Sequence, residues 1–391
     1  MTPTVAFVST WQTQCGIATY TAQLRDALVE AGVDCAVHPI NREELRYLTR
    51  GELMTHFEEI ADAASSCDVV HVQHEVGFFH GPYGYQVSTD VFGHLLARLR
   101  GRAGVVVTFH THPVVATWRG VQWQRAIRQN AASFPWRTKV VRAFNKHGAM
   151  AIAPSRVLRR TLVDSGVAAD RVVRVPQGSP PMADVDARDR AVAKAELGYR
   201  SDDRVVLLFG FVTPHKGHHV ALEALRVLPA NYQMALVGGP HPLSGDGYYD
   251  QLLGMLTADA DLARRVRITG YVPREDVARY FAAADVCIVP YLEQGLATSA
   301  AVVWALASGR PVIGTKIPAL MEVAEEAGCL RLVTPHASNE LAAAILEVER
   351  DESMAKTLVE NAATYCAESS WSIVAQRHLE VYRRALGRPS P

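Results

Sequence analysis

Several features are absent from this 391-residue sequence, and each absence excludes a class of protein. No stretch approaches 18 consecutive apolar residues, so we expect no membrane-spanning helix. The six cysteines are scattered without a CxxC pair, which excludes a small disulfide-stapled domain and indicates reduced thiols. The 40 basic and 40 acidic side chains cancel, which excludes a simple polybasic nucleic-acid binder. The start, MTPTVAFVSTW, lacks the basic region and cleavage site of a signal peptide, so we expect a cytoplasmic protein.

Acidic residues are also missing from one long segment. Residues 91–163 contain no Asp or Glu, although thirteen Lys and Arg fall there, and tryptophans alternate with arginines in its middle part. Residues 1–178 therefore hold 19 basic and 14 acidic side chains, whereas residues 179–391 hold 21 and 26. Two interpretations stay open for this segment. It is either a solvated helix face, or a surface that contacts a phosphorylated substrate or the anionic inner face of a membrane.

Short apolar runs alternate with segments of helical period along the chain. The first series is VAFVS, CAVHPI, VVHVQ, VVVTFH and AMAIAPS, and the second is RVVLLFGF, QMALVGG, RVRITGY, VCIVPY and RPVIGT. Strands that alternate with helices form parallel sheets covered on both faces, which explains why the runs are continuously apolar. The breaker-rich stretch PQGSPPMADVDARD separates the series. We therefore predict an α/β protein with two Rossmann-like domains, residues 1–178 and 179–368, and a final helix within 369–391.

Ligands of such sheets bind outside the carboxyl ends of the strands, so the candidate residues are those that follow strands. Gly16 lies in the loop after the first strand, where a helix begins and its amides can approach a diphosphate. His110 and His112 end the fourth strand, and two histidines without a nearby carboxylate or cysteine are too few ligands for zinc, so no metal site is predicted. The residues after the third strand are candidates for an acceptor site, namely Gln73, His74 and Glu75.

The second half of the chain offers two loops of the same kind. Lys216 and Gly217 stand where a helix begins beyond a strand, and a lysine there can neutralise a leaving diphosphate. The GxxxxGK[ST] spacing is absent, which excludes a Walker nucleotide site. In the polar loop after VCIVPY, Glu293 can accept hydrogen bonds from sugar hydroxyls. The other candidates of this loop would supply amides or a helix cap, and they are Gly295, Thr298 and Ser299.

In this order, the motifs resemble a glycosyltransferase of the GT-B fold, of the retaining family 4 (group 1) type. They are the glycine loop at Gly16, the TFH segment at His110, AIAPS, PHKG at Lys216, GYVPREDVARYFAAADVCIVP, ALASGRPVI and the closing ESSWSIVAQRHLEVY. The resemblance covers nearly the whole chain. It implies two Rossmann-like domains whose parallel sheets face each other across a cleft. The first domain would take the acceptor and the second the donor, and residues 369–391 would cross back onto the first.

The resemblance also implies the reaction. A sugar passes from a nucleotide sugar, UDP- or GDP-linked, to a hydroxyl acceptor, with retained anomeric configuration and with no metal or further cofactor. His110, near the sugar's 6-hydroxyl, Lys216, on the diphosphate, and Glu293 are the implied catalytic residues. The implied donor-binding residues are Gly16, Gly210, Lys216, Gly217, Gly295, Thr298 and Ser299, and the acceptor-side residues are Gln73, His74, Glu75 and His112.

Two positions depart from the family pattern. The arginine expected six residues before the lysine is Gly210, so Lys216 acts alone or another arginine, such as Arg156, replaces it. The second glutamate, which grips the ribose in the family, is replaced by Ala301 or Trp304. These departures leave two alternatives open: a scaffold protein of the same fold with reduced activity, and a sugar phosphorylase or epimerase. The acceptor stays open among a glycan, a lipid head group, a sugar phosphate and a small natural product.

Overall fold

A computed structural model describes residues 2–111, 140–181, 189–241, 247–292 and 299–387. Contacts divide these residues into two units. Unit 1 contains the described residues up to Gly178 together with the segment from Trp371 onward, and unit 2 contains those from Ser179 to Ser370. The predicted assignment of one domain to the acceptor and the other to the donor stays a prediction.

The described residues form twelve strands and sixteen helices of four residues or more. The strands are β1 (Val5–Ser9), β2 (Cys35–Pro39), β3 (Val69–His74), β4 (Gly104–Phe109), β5 (Met150–Ala153), β6 (Val172–Arg174), β7 (Arg204–Phe209), β8 (Tyr232–Val237), β9 (Val266–Ile268), β10 (Val286–Val289), β11 (Val312–Thr315) and β12 (Arg331–Val333). The helices are α1 (Gly16–Glu30), α2 (Arg42–Leu45), α3 (Arg50–Ala64), α4 (Tyr85–Leu99), α5 (Val141–His147), α6 (Arg156–Asp164), α7 (Arg190–Glu196), α8 (His218–Val227), α9 (Tyr248–Ala258), α10 (Ala260–Arg265), α11 (Arg274–Ala283), α12 (Ala300–Ala307), α13 (Pro318–Ala327), α14 (Ser338–Arg350), α15 (Glu352–Glu368) and α16 (Trp371–Ala385).

Unit 1 is built on a parallel sheet of order β2-β1-β3-β4-β5-β6. Val5 of β1 pairs with Cys35 of β2 on one side and with Val69 of β3 on the other. The strand order therefore reverses direction between β1 and β3. At such a switch point the loops diverge and leave a crevice at the carboxyl ends of the two strands.

Helices cover both faces of this sheet. Alternate residues of β1 point to opposite faces, so Val5 and Phe7 pack with α1 and α16, while Ala6 and Val8 pack with α3 and α4. The last helix thus completes one face of unit 1. At its start the Trp371 ring lies against Gly178, where a Cβ would overlap the indole.

Unit 2 is built on a second parallel sheet, of order β12-β11-β10-β7-β8-β9. Counted within the unit, this is the Rossmann order 3-2-1-4-5-6. The switch point lies between β7 and β10, and the loops that follow these two strands begin at Gly210 and Pro290. The core on one face is formed by α8, α9 and α14 against the central strands.

The structure confirms the predicted α/β class and all ten predicted strands, and it adds two. The added strands, β6 and β12, have three residues each, lie at sheet edges and are partly exposed. Such short edge strands carry charged residues and lack a continuous apolar run, so periodicity does not reveal them. All six cysteines are free thiols. Within the described segments, no helix has both the length and the apolar character needed to cross a membrane.

Candidate functional site

The switch point of unit 2 brings Lys216 directly over Gly210. β7 ends at Phe209, and Gly210 follows it with a φ of +112°, a conformation that side chains other than glycine rarely adopt. A Cβ at position 210 would overlap Lys216 Nζ. The lysine in this position and a side chain at residue 210 therefore exclude each other.

The Lys216 ammonium has an aromatic neighbour. Its Nζ lies 5.7 Å from the centre of the Tyr291 ring. No carboxylate of the described residues lies within ion-pair distance of Nζ, and burial lowers the pKa of Lys216 to about 8. The lysine is therefore charged at neutral pH, and a bound anion would supply the counter-charge that the described protein groups do not.

Tyr291 connects Lys216 to the start of α12. Its hydroxyl lies 2.8 Å from Ser299 Oγ, and burial raises the pKa of Tyr291 to about 12, so the phenol stays neutral. Ser299 occupies the N-cap position of α12, but its side chain makes no capping bond because it pairs with Tyr291 instead. Ala301 Cβ would lie 3.7 Å from a Cβ at position 210. The first turn of α12 thus lies next to Gly210. Three predicted residues of this loop, Glu293, Gly295 and Thr298, lie outside the described residues.

The structure corrects the prediction for Gly217. A 3-10 turn, Pro214–Lys216, precedes α8, and the amides of Lys216 and Gly217 donate to the carbonyls of Thr213 and Pro214 at 3.1 and 3.2 Å. These amides are therefore already bonded and are not free for a diphosphate. Gly217 has a φ of +72°, and a Cβ there would overlap the Pro290 carbonyl oxygen. The glycine is needed for a left-handed turn that packs closely against the loop after β10.

Trp304 lies one helical turn beyond Ala301 on α12. Its ring stacks on Phe281 with 6.2 Å between centroids and 16° between planes, and it lies 6.0 Å from the ring of Phe209. Residues three apart share a helix face, so Trp304 and Ala301 lie on the same side of α12. As the sequence predicts, neither position offers a carboxylate for a ribose.

In unit 1, α1 begins at Gly16 as predicted. Cys15 holds the N-cap position without a capping bond from its side chain, and the first turn carries no acidic residue. Apart from its chain neighbours and the backbone of its own helix, no atom of the described residues lies within 4 Å of a Cβ built on Gly16. The start of α1 is therefore open and electropositive at the switch point between β1 and β3.

His110 follows β4 and is held by two contacts. Its Nε2 lies 2.7 Å from Gln73 Oε1, and its ring meets the Tyr20 ring edge to face at 4.9 Å between centroids. Burial lowers the pKa of His110 to about 3, so the imidazole is neutral at physiological pH. Gln73 itself is fully buried. The prediction that Gln73 faces an acceptor is therefore wrong, because this side chain supports His110 from within the sheet.

The prediction for His74 is also wrong. His74 is buried and packs among three aromatic rings, those of Phe79, Phe92 and Phe109, at centroid distances of 5.5, 4.5 and 4.9 Å. The reason is the two-residue period of a strand, which turns Gln73 to one face of the sheet and His74 to the other. His74 is a core residue, and burial lowers its pKa to about 3.

Glu75 remains at the carboxyl end of β3, half-buried. Its Oε2 accepts a hydrogen bond from the Thr111 hydroxyl at 2.7 Å, and its Oε1 accepts one from the Gly77 amide at 3.3 Å. Thr111 was not among the predicted residues, although the TFHT tetrapeptide places it beside His110. His112 lies outside the described residues. Tyr291, the aromatic neighbour of Lys216, was also missed, although VCIVPY places it at a strand end.

The part of the chain that the structure describes contains no group of three His, Cys, Asp or Glu side chains arranged to hold a metal. The basic segment is described only at 91–111 and 140–163. Within it, Arg98 and Arg102 both form ion pairs with Asp62 on α3. These pairs reduce the positive potential at that end of the segment.

Comparisons with known proteins agree with this architecture. Residues 189–365 match the family described as glycosyl transferases group 1. A D-inositol 3-phosphate glycosyltransferase of Mycobacteroides abscessus is 30% identical over 240 residues, which cover 58% of this chain and 52% of that protein. One from a Nocardioides species is 27% identical over 378 residues, 92% of this chain and 78% of that protein. The chain thus spans about half the length of the first of these relatives.

The fold has counterparts among solved structures. The crystal structure of Anabaena HepE in complex with UDP-glucose superposes with a TM-score of 0.72 at 19% identity, over 98% of this chain and all of that one. Sucrose-phosphate synthase from Thermosynechococcus elongatus gives the same TM-score at 21% identity, over 98% of this chain and 99% of that one. With its two parallel Rossmann-like sheets this chain has the GT-B fold, and its residues 189–365 match the group 1 glycosyl transferases.

Proposed function

We propose that this protein transfers a sugar from a nucleotide sugar to a hydroxyl acceptor, with retained anomeric configuration and without a metal. The observation that carries the proposal is the Lys216 ammonium. It is partly buried over Gly210 at a switch point, and no carboxylate of the described residues pairs with it. A cation held in this way is suited to a ligand that carries its own negative charge, such as a diphosphate.

Lys216 is proposed to stabilise the leaving nucleoside diphosphate. Negative charge grows on the leaving phosphate oxygen as the glycosidic bond breaks, and a preorganised cation in a partly desolvated site stabilises that charge more than water does. The adjacent start of α12 adds the positive end of a helix dipole. With this charge supplied by the chain itself, the reaction does not require a divalent cation. In the retaining mechanism implied by the family, the leaving phosphate then takes the acceptor proton.

His110 is proposed to bind a hydroxyl of the transferred sugar. Its ring is neutral, and with Nε2 on Gln73 the remaining nitrogen, Nδ1, is the acceptor. A neutral imidazole accepts a hydrogen bond from a hydroxyl, whereas an imidazolium would only donate. Glu293, Gly295 and Thr298 keep their predicted donor roles as part of this proposal, and so do Gly16 and Ser299.

The donor is proposed to be UDP- or GDP-linked. The likeness to a structure that holds UDP-glucose supports the first of these. At the ribose, the indole of Trp304 replaces the carboxylate of the family pattern. An indole ring packs against a sugar through its apolar face but accepts no hydrogen bond from a hydroxyl. We therefore expect weak selection for the ribose 2′-hydroxyl.

The acceptor is proposed to be a small hydroxylated molecule, and a phosphorylated cyclitol is the first to test because of the relatives' name. Glu75 and His112 remain the acceptor-side residues of the proposal. Contact of residues 91–163 with an anionic membrane stays a further part of it. Sedimentation with anionic vesicles at low salt, lost at moderate salt, would support that contact, because surface attraction is screened over ~10 Å at 0.1 M.

Donor hydrolysis tests the proposal. The purified protein is incubated with UDP-, GDP-, ADP- and dTDP-sugars in the presence of a chelator, and release of free nucleotide is measured. We expect slow release from one donor, its loss in Lys216→Ala, and its retention in Lys316→Ala, since Lys316 is an exposed lysine of the same unit. Normal folding without release from any donor would favour the scaffold alternative.

A further inference from the structure

A line of buried polar side chains runs from His110 into the interior of unit 1. Gln73 Oε1 lies 2.7 Å from His110 Nε2, and Gln73 Nε2 lies 3.3 Å from His71 Nε2. On the far side of the imidazole, His71 Nδ1 lies 2.8 Å from the hydroxyl of Tyr382 on α16. Gln73, His71 and Tyr382 are all fully buried. Three hydrogen bonds therefore link a residue at the site to the last helix of the chain.

The chemistry of the amide fixes the direction of these bonds. A carboxamide oxygen only accepts and its nitrogen only donates, so His110 Nε2 must carry a hydrogen and His71 Nε2 must not. His71 is neutral, because burial places its pKa well below the usual value. Its single hydrogen then sits on Nδ1 and is donated to Tyr382. Thr108 Oγ1 lies 2.8 Å from the same nitrogen.

A second buried pair, Tyr20 and His378, meets the line at Thr108, to which the Tyr20 hydroxyl is hydrogen-bonded. Tyr20 donates its hydroxyl hydrogen to His378 Nε2 at 3.2 Å, because His378 Nδ1 donates to the Val374 carbonyl at 2.7 Å. The Tyr20 ring in turn forms one wall for His110. The ring orientation of His110 is therefore set by Tyr20, and its hydrogen-bond polarity is set by Gln73.

We propose that Gln73 couples the tautomers of His110 and His71 in opposite senses, so that His110 offers Nδ1 as an acceptor while His71 donates from Nδ1 to Tyr382. Gln73, His71 and Tyr382 are then positioning residues for His110. The value of this arrangement for catalysis rests on the proposed function, in which Nδ1 receives a sugar hydroxyl. The coupling itself is a property of the folded chain and holds whether or not that function is correct.

Nitrogen NMR of the protein labelled with ¹⁵N-histidine tests the coupling directly. Long-range ¹H–¹⁵N spectra report which ring nitrogen of each histidine is protonated, and His110→Ala and His71→Ala identify the two spin systems. In the wild-type protein we expect the proton on Nε2 of His110 and on Nδ1 of His71. The same nitrogen protonated in both rings of the wild-type protein would overturn the proposal.

Tyr382→Phe tests whether a change at Tyr382 alters the tautomer of His110 through His71 and Gln73. Without the tyrosine hydroxyl, the His71 Nδ1 hydrogen would be a buried donor without an acceptor, which is rarer in proteins than a buried acceptor without a donor. We expect the His71 proton to move to Nε2, the Gln73 amide to reverse, and the His110 proton to move to Nδ1. An unchanged His110 in Tyr382→Phe would overturn the proposal. In Tyr382→Phe/Gln73→Leu the link is cut, so His110 should no longer follow His71.

Thr21→Val is the matched control. It removes another buried hydroxyl of unit 1, one that pairs with Ser9 Oγ at 2.7 Å outside the line, and neither tautomer should change. If donor hydrolysis is observed, Tyr382→Phe should lower kcat/KM about tenfold, the effect of one net hydrogen bond, and Thr21→Val should not. If no donor is hydrolysed but the tautomers behave as expected, the proposed function fails while the coupling stands.

Discussion

Replacing Lys216 with methionine is expected to stabilise the fold while it abolishes donor hydrolysis. Methionine has a similar length and no charge, so Lys216→Met removes the ammonium and keeps most of the volume over Gly210. The wild-type ammonium is partly buried beside Tyr291, and no carboxylate of the described residues pairs with it. The proposed binding of a diphosphate therefore needs the Lys216 ammonium, although burial of this charge makes folding less favourable.

The size of this effect follows from the pKa. Burial lowers the pKa of Lys216 from 10.5 to about 8. Below pH 8 the lysine is charged in both the folded and the unfolded chain, so the full cost of burying the charge is present. Each pKa unit corresponds to about 1.4 kcal/mol, so this cost is roughly 3 kcal/mol at pH 7. Between pH 8 and 10.5 the unfolded chain binds more protons than the folded one, so stability rises with pH across this window.

Chemical denaturation of wild type and Lys216→Met at pH 7 and pH 10 measures the prediction. At pH 7 we expect the variant to be more stable by about 1–3 kcal/mol, and the difference should shrink toward pH 10.5. Lys194→Met is the matched control, because Lys194 is also buried in unit 2 but lies 2.7 Å from Asp285 Oδ2 and donates to the Asp203 carbonyl. It should be destabilising by about 1–3 kcal/mol, since the Asp203 carbonyl loses its buried donor and Asp285 keeps only the more exposed Arg190 and Arg204. Destabilisation of Lys216→Met at pH 7 would refute the argument that the lysine is a buried charge without a partner.

Three further substitutions give direct measurements. Gly217→Ala should cost at least about 2 kcal/mol in urea denaturation, because a Cβ there meets the Pro290 carbonyl. Gly247→Ala, with a φ of +68° and no contact within 4 Å among the described residues, should cost only the left-handed strain of about 1 kcal/mol, and equal losses would contradict the packing argument. Gly210→Ala should displace Lys216 and suppress nucleotide release. Gly270→Ala should not, since Gly270 also has a positive φ, +71°, but a Cβ there has no contact within 4 Å among the described residues. Full activity of Gly210→Ala would show that the lysine position is not needed. Trp304→Glu should raise the ratio of kcat/KM for UDP-glucose over its 2′-deoxy analogue by about tenfold or more, the effect of a hydrogen bond to a charged group, and an unchanged ratio would separate this position from the ribose.

The fold was predictable from the sequence because a strand that is buried on both faces of a sheet has a continuously apolar sequence. A strand such as VAFVS is apolar throughout, and the helical period of the following segment separates it from the next strand. The strand order was not predictable from these signals. A run of apolar residues reports that a strand is central, but which strand lies beside β1 depends on crossovers that leave no local trace.

The sequence predicted which loops carry the candidate residues, but it did not predict the orientation and hydrogen bonds of each residue in them. The positions of Gly16, His110 and Lys216 at strand ends follow from the order of elements. The assignments of Gln73 and His74 failed because they treated a strand end as one surface, although adjacent residues of a strand face opposite sides of the sheet. The Gly217 assignment failed because the closing amides of a 3-10 turn are bonded within the turn. The space over Gly210 is filled by the side chain of Lys216, six residues along the chain. This contact depends on the tertiary structure, so local sequence patterns do not predict it.

Burial acts on both predicted basic groups, His110 in unit 1 and Lys216 in unit 2, and the outcome differs because their starting pKa values differ. Desolvation lowers the pKa of Lys216 to about 8 and that of His110 to about 3. At neutral pH the same physical effect therefore leaves one group a cation and the other a neutral acceptor. A cation suits a diphosphate, and a neutral imidazole suits a hydroxyl. An exchange of the two residue types would reverse both properties, since a buried histidine at position 216 would carry no charge and a lysine at position 110 would carry an ammonium into a site whose neighbours, Gln73 and Tyr20, offer no counter-charge. The chemistry of each group thus depends on the residue type together with its burial.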